Sequence, residues 1–192
     1  MLHYNANGYS GDNYAFFVSI PEWRFIVGHF MVVFFVPLYI IGYWHIFLAL
    51  NSGNKWLAQA VLILGVFAFV LGGMWISSRG LLGFIAKSIH EGDTSISLLG
   101  HYRLLMETLV QVLRLIIILI STLFIIAIRK GGTLYPRWMA WFNPGLALGI
   151  VFILYFLFPP LGNILAPTAM NIAHISVFSA SLFSLNTKPS MK

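Results

Sequence analysis

Residues 103–130 read RLLMETLVQVLRLIIILISTLFIIAIRK. From Leu115 to Ile128 only Ser121 and Thr122 are not apolar, and Arg129 and Lys130 close the run. About 20 apolar residues rising 1.5 Å each cross a hydrocarbon core about 30 Å thick, so this stretch predicts a transmembrane helix over 103–128. Four further runs share its character, over about 25–50, 56–77, 138–158 and 163–185. The expected fold is therefore all-α, a polytopic transmembrane bundle of about five spans within residues 24–187. An interfacial segment, 1–23, precedes it and a polar tail, 188–192, follows it.

The composition agrees. Of 192 residues 59% are hydrophobic and 8% charged, with a mean hydropathy of +0.88; soluble domains carry roughly 25% charged residues. No cysteine occurs, which excludes disulfides and thiol-based metal or iron–sulfur sites. The net charge of +6 comes from eleven Lys and Arg scattered near helix ends rather than gathered in a stripe, so no nucleic-acid partner is expected. The first 23 residues interleave Asn, Gly, Ser and Asp with Tyr4, Tyr9, Tyr14 and Trp23 and hold no apolar signal core, which suits a loop at the membrane interface.

Breaks between the spans are legible from Gly, Pro and Asn. Pro37 is expected to kink the first helix, and Asn51, Ser52, Gly53 and Asn54 end it. In the second, Ser77, Ser78 and Arg79 interrupt the apolar run, after which Gly80 to Ile89 resume an amphipathic pattern that extends into the interface. Tyr135, Pro136 and Arg137 introduce the fourth span, Pro159 and Pro160 stop it, and Pro167 falls in the first turns of the fifth. No internal repeat is present, which disfavours an inverted-repeat transporter within one chain.

Five spans put the two chain ends on opposite sides. The N-terminal face then carries Arg24, Arg79, Lys87 and Arg103 with the acids Asp12, Glu22, Glu91 and Asp93. The opposite face carries Lys55, Arg129, Lys130, Arg137, Lys188 and Lys192 and no acid. The larger Lys and Arg count there favours a cytoplasmic C-terminus.

Ionisable groups within the hydrocarbon cost at least a few kcal/mol, so they face protein and mark candidate sites. On the third helix Arg103, Glu107, Gln111 and Arg114 are spaced by 4, 4 and 3 residues and share one face. The helix itself is expected from about Ser97 or Leu98, and with the membrane entered near Leu104, Arg114 would lie about 15 Å deep. The bland reading is mutual neutralisation that fixes packing; the functional reading is a polar floor. Asn171 and His174 share a face of the fifth helix, where a lone histidine is more often a packing hydrogen-bonder than a ligand. Depth allows His29, Arg79, Glu107, Gln111, Arg114, Asn171 and His174 to converge on one cavity open to the N-terminal side, and it excludes His45. That convergence requires Glu107 to pair with Arg79 or Arg114.

Gly65, Ala68, Gly72, Arg79 and Gly83 form a small-residue line on the second helix, suited to close helix approach. His29 and His174 could ligate a haem between helices, but no paired pattern supports it; no cofactor and no metal site is expected. No metal-binding His-Glu-x-x-His, nucleophile elbow or phosphate loop occurs.

Several irregular, partly polar stretches carry a resemblance. They are Leu2-His3-Tyr4 with Gly8-Tyr9-Ser10-Gly11, Ile20-Pro21-Glu22-Trp23-Arg24, Gly28-His29-Phe30, and Pro37-Leu38-Tyr39-Ile40-Ile41-Gly42-Tyr43-Trp44-His45. Tyr135-Pro136-Arg137-Trp138-Met139-Ala140, Asn143-Pro144 and Ala169-Met170-Asn171-Ile172-Ala173-His174 extend it nearly to the end. In these the chain resembles a family of uncharacterised bacterial multi-pass membrane proteins, a domain of unknown function. The resemblance implies an inner-membrane location and no assigned activity. It also implies a further hydrophobic helix ahead of the Leu-His-Tyr stretch, so that this chain starts late.

The expected function is that of a helical bundle whose polar intramembrane pocket binds a small or lipid-like ligand. Glu107 would be the acid/base or cation-pairing group, Arg114 and Arg79 would hold an anionic moiety, and His174 would relay protons with Asn171 orienting it. No catalytic residue is assigned. The alternatives are a transporter or proton-pathway component, and a structural accessory subunit or homo-oligomer in which the stripe is packing glue.

Overall fold

A computed structural model describes Tyr14 and residues 17–92 and 96–186. The expected tail at 188–192, most of the segment 1–23, and Asp12, Asp93, Lys188 and Lys192 lie outside the described residues. Those described are helical, without a strand: α1 (Glu22–Asn51), α2 (Lys55–Glu91), α3 (Ile96–Lys130), a 3₁₀ segment (Arg137–Trp141), α4 (Pro144–Leu157), α5 (Pro159–Leu165), a 3₁₀ turn (Ala166–Thr168) and α6 (Ala169–Asn186).

Three helices, α1, α2 and the Ser97–Lys130 length of α3, are long and apolar enough to cross a membrane. Their outward surfaces are what a bilayer would meet: Phe34 is 70% exposed and Trp56 81%. Such surface would be untenable in water.

Three expected helix boundaries move. α2 continues through Ser77–Arg79 to Glu91 without a break, because the Ser77 hydroxyl satisfies itself on the Met74 carbonyl (3.2 Å) and the Ser78 carbonyl accepts from the Tyr102 hydroxyl. The run 138–158 is not one helix. Asn143 is a helix N-cap, its Oδ1 accepting from Leu146 N (3.0 Å) and its Nδ2 donating to the Ala140 carbonyl (2.9 Å), with Pro144 next in the first turn. α4 therefore starts at Pro144, and the residues before it take a 3₁₀ turn with Met139 and Ala140 buried. Likewise the run 163–185 divides at the 3₁₀ turn that holds Pro167.

The chain divides into two compact units. One comprises Met1–Leu38 and Phe69–Arg114, the other Tyr39–Ala68 and Leu115–Lys192. In the first, Tyr14, Phe17, Phe25, Leu82, Ile85, Ala86 and Leu99 form a buried cluster flanked by Ile20, Ile89 and Tyr102. The tip of the Phe25 ring abuts α2: a Cβ on Gly83 would come within 2.6 Å of its Cζ. In the second, Tyr43, Ile46, Leu50, Val61, Ile117, Ile120, Phe124 and Met139 are among the buried side chains. Gly65 leaves the space that the Tyr43 ring fills. The small-residue line thus receives aromatic rings at Gly65 and Gly83, one in each unit.

Candidate functional site

The second unit contains a chain of aromatic and polar contacts between α1 and α6. The Tyr39 hydroxyl donates to Asn171 Oδ1 at 2.7 Å. One turn on, the Tyr43 hydroxyl lies 3.1 Å from Nε2 of His174, and Nδ1 of that histidine lies 2.7 Å from the Met170 carbonyl. A carbonyl can only accept, so Nδ1 carries the proton; in the neutral imidazole Nε2 then accepts from Tyr43. His174 is fully buried and Tyr43 nearly so. Both ring nitrogens being engaged, His174 has no lone pair to offer a metal or haem in this arrangement.

Further along α6, Ser181 joins His45 and Tyr135, neither of which the spacing of polar residues singles out. Its Oγ lies 2.6 Å from the Tyr135 hydroxyl and 3.1 Å from His45 Nδ1. Burial pushes the Tyr135 phenol, in the loop after α3, up to about 12, opposed by its hydrogen bond to Ser181. His45, expected to lie too deep for a site open to the N-terminal side, belongs to this second polar contact near the C-terminal end of α1. The signal available is the order of the pairs along α1 and α6, since 39 with 171, 43 with 174 and 45 with 181 all ascend together. The two helices therefore run parallel.

Ser121 pins the start of α4. Its Oγ donates to the Ile117 carbonyl (2.8 Å) and accepts from Gly145 N (2.8 Å). No buried side-chain nitrogen or oxygen among the described residues lacks a partner, as buried polar groups require.

In the first unit the third-helix stripe turns outward. Glu107, Gln111 and Arg114 are all exposed, as is Arg103. Arg114 Nη1 donates to Gln111 Oε1 at 3.3 Å. Glu107 makes no ion pair with Arg79 or Arg114, a correction to the expected pairing. Residues 107 and 114 stand two turns apart, about 10 Å along the axis, and Arg114 turns to Gln111 between them. The Arg79 guanidinium instead lies over the Trp75 ring, 5.2 Å from its centroid. His29 is exposed on α1 beside Phe30. Spacing puts the stripe on one face, but its inward direction rests on an assumption about neighbours, and Leu113, not a charged residue, turns inward at this level of α3.

Of the seven candidates, then, Gln111 meets Arg114 within the first unit, while Asn171 and His174 share one face of α6 in the second, each held by a tyrosine of α1.

Among the described residues the protein is all-helical with three helices of membrane-spanning length and composition, an architecture compatible with an integral membrane protein. The chain belongs to a family of unknown function, DUF6796, whose model matches residues 3–188. No curated protein and no solved structure matches it.

Proposed function

We propose that the protein is a five-pass integral membrane protein of the bacterial inner membrane, with a cytoplasmic C-terminus, that acts as a subunit of a membrane assembly through the outward polar face of α3. Five passes fit the helix geometry. Gly145 docks on Ser121, seven residues before Ile128, so α4 starts about 10 Å inside the bilayer if Ile128 marks its boundary. About 20 Å of a 30 Å core then remains, and fourteen residues supply about 21 Å. The 3₁₀ segment ahead of α4 is tolerated at that depth because its Met139 and Ala140 are buried in protein. α6, eighteen residues and about 27 Å long, makes the last pass.

The same counting resets the depth of the stripe. α3 starts at Ile96, next to the expected start at Ser97 or Leu98, and the membrane entry is counted back from its far end instead of being set near Leu104. Twenty residues back from Ile128 is Leu109, which places Glu107 among headgroups and Arg114 about 8 Å inside. α2 beyond Ser77 and α3 before Leu109 then project together from the N-terminal face as a helical hairpin.

The observation that carries the assembly reading is the exposure of Gln111 and Arg114 within that apolar stretch. Gln111, about 3 Å inside the boundary, and Arg114, about 8 Å inside, bond to each other on the outward face of α3, and polar side chains facing acyl chains are disfavoured unless another helix meets them. Because the chain has no cysteine, a single Gln111→Cys variant reports directly. Oxidative crosslinking in native membranes, at 111 and not at a Phe34→Cys control, is expected. Equal labelling of both positions by a lipid-phase thiol reagent, with no crosslink, defeats the reading.

A second reading keeps a small or lipid-like ligand at the α1–α6 contact. It is favoured by Asn171, which is exposed while holding the Tyr39 hydroxyl, next to the buried His174. Tyr39 and Asn171 would present the ligand's polar group and His174 would relay a proton.

A further inference from the structure

The second unit carries a groove of about 600 Å³ between the 3₁₀ segment and α6, walled by Trp138, Phe142, Ser176, Ser179, Ala180 and Phe183. Its walls are almost wholly apolar, and the Trp138 and Phe142 rings meet edge to face at 5.5 Å. Ser176 turns its hydroxyl back to the Ala173 carbonyl (2.8 Å), which leaves Ser179 as the one wall hydroxyl without a hydrogen-bond partner among the described residues. From Ser176 to Phe183 the α6 wall runs about 10 Å along the helix axis.

One end of the groove is marked by charge. Arg137, the residue before Trp138, is exposed. Its loop is fixed at the end of α1, where Leu134 N donates to the Ala49 carbonyl (2.9 Å). The loops after α1 and after α3 touch there: a Cβ on Gly132 would come 3.2 Å from Gly53 Cα. That contact brings the helix ends bearing Lys55, Arg129 and Lys130 to the same end of the unit. All four cations are exposed, and none has an ion-pair partner among the described residues. No acid occurs in 39–68 or 115–192; the chain's five acids all lie in the other unit.

From this we infer that the groove holds one acyl chain of an anionic phospholipid, with the Arg137 guanidinium on its phosphate. Apolar walls exclude a polar solute, and a wall open to the side in a membrane-facing surface admits an alkyl chain from the bilayer. A cationic rim without acids selects the headgroup, since guanidinium pairs with phosphate oxygens through fixed parallel donors. The Ser179 hydroxyl, on the exposed side of α6, can donate to an ester carbonyl of the bound lipid. Arg129, Lys130 and Lys55 raise the local anion concentration without touching the groove.

The test uses the whole chain in detergent, with phosphatidylglycerol and phosphatidylcholine of identical acyl chains as probes, retention being read by native mass spectrometry. Phosphatidylglycerol should be retained preferentially. Arg137→Gln, a change at an exposed side chain, should lower that preference by about fivefold, the factor expected for one basic residue at an anionic surface. Lys55→Gln should lower it less. Ala180→Trp, which fills the groove, should reduce retention of both lipids. Soluble glycerol phosphate should fail to displace the lipid. Equal retention of the two lipids by the unaltered chain, an equal effect of Lys55→Gln and Arg137→Gln, or displacement by glycerol phosphate would each overturn the assignment. The readout is independent of the α3 face, so failure of the assembly reading leaves it intact.

Discussion

The Tyr43 hydroxyl and His174 Nε2 form a buried hydrogen bond of 3.1 Å that ties α1 to α6. Gly65 makes it possible, because only a residue without Cβ lets the Tyr43 ring lie against α2. The bond closes a set of requirements: His174 donates through Nδ1 to Met170, so it needs a donor at Nε2, and Tyr43 supplies it.

Tyr43→Phe removes that donor and leaves an imidazole nitrogen buried and unmatched. The expected loss is about 1–3 kcal/mol of unfolding free energy. In a double-mutant cycle, His174→Phe should cost less when Tyr43→Phe is already present than in the native chain, because the nitrogen it removes is then an orphan. Reversible unfolding in mixed detergent measures both. A Tyr43→Phe protein as stable as the native chain would show that the bond contributes nothing.

The glycines supply a paired expectation. Gly83→Ala would set a methyl within 2.6 Å of the Phe25 ring, and Gly65→Ala would meet Tyr43. Each should lower stability by about 1–3 kcal/mol through overpacking. Gly149, inside α4, has nothing within 4 Å of the point where a Cβ would lie, so Gly149→Ala should be neutral or gain about 0.5–1 kcal/mol from helix propensity. Thermal unfolding of the three variants in one detergent decides whether packing or propensity dominates at each site.

The three long helices are legible in the sequence because hydropathy over about 20 residues reports the solvent around a helix. So is the co-facial placement of Glu107, Gln111 and Arg114, which follows from helical period alone. The facing direction is not, because in a membrane both sides of a helix are apolar and the aliphatic residues that mark the inward face of a soluble helix carry no such message. Hydropathy also runs through Asn143, whose capping role depends on backbone geometry at Pro144 rather than on polarity. Tyr43 reads like any interfacial aromatic, and Ser181 like an ordinary helix serine, since only their partners across α1 and α6 distinguish them.

Alkaline pH should act through Tyr135. Its phenol is raised from 10.0 to about 12 in the folded chain, chiefly by burial, so the native state keeps a proton that the unfolded chain has lost. Stability from this group is therefore full below pH 10 and declines as pH rises from 10 toward 12. Ultraviolet titration of tyrosinate should show Tyr135 among the late-ionising phenols, and Tyr135→Phe should lower the late amplitude by one phenol. A Tyr135→Phe protein with an unchanged late amplitude would exclude Tyr135 from the late phenols.

Glu107 offers the sharpest separation between a packing and an interaction role. Exposed, and paired with neither Arg79 nor Arg114, it makes no ion pair among the described residues whose loss would unfold the chain. Glu107→Gln should leave unfolding free energy within about 0.5 kcal/mol of the native value, as for surface substitutions generally. If the α3 face meets another membrane helix, the same change should weaken crosslinking through a Gln111→Cys thiol in membranes, because a charge placed among headgroups sets register between helices and an amide does not. Glu107→Gln that destabilises the isolated chain by more than about 1 kcal/mol would instead return Glu107 to a structural role within its own unit, and crosslinking would then fall only in proportion to folded protein.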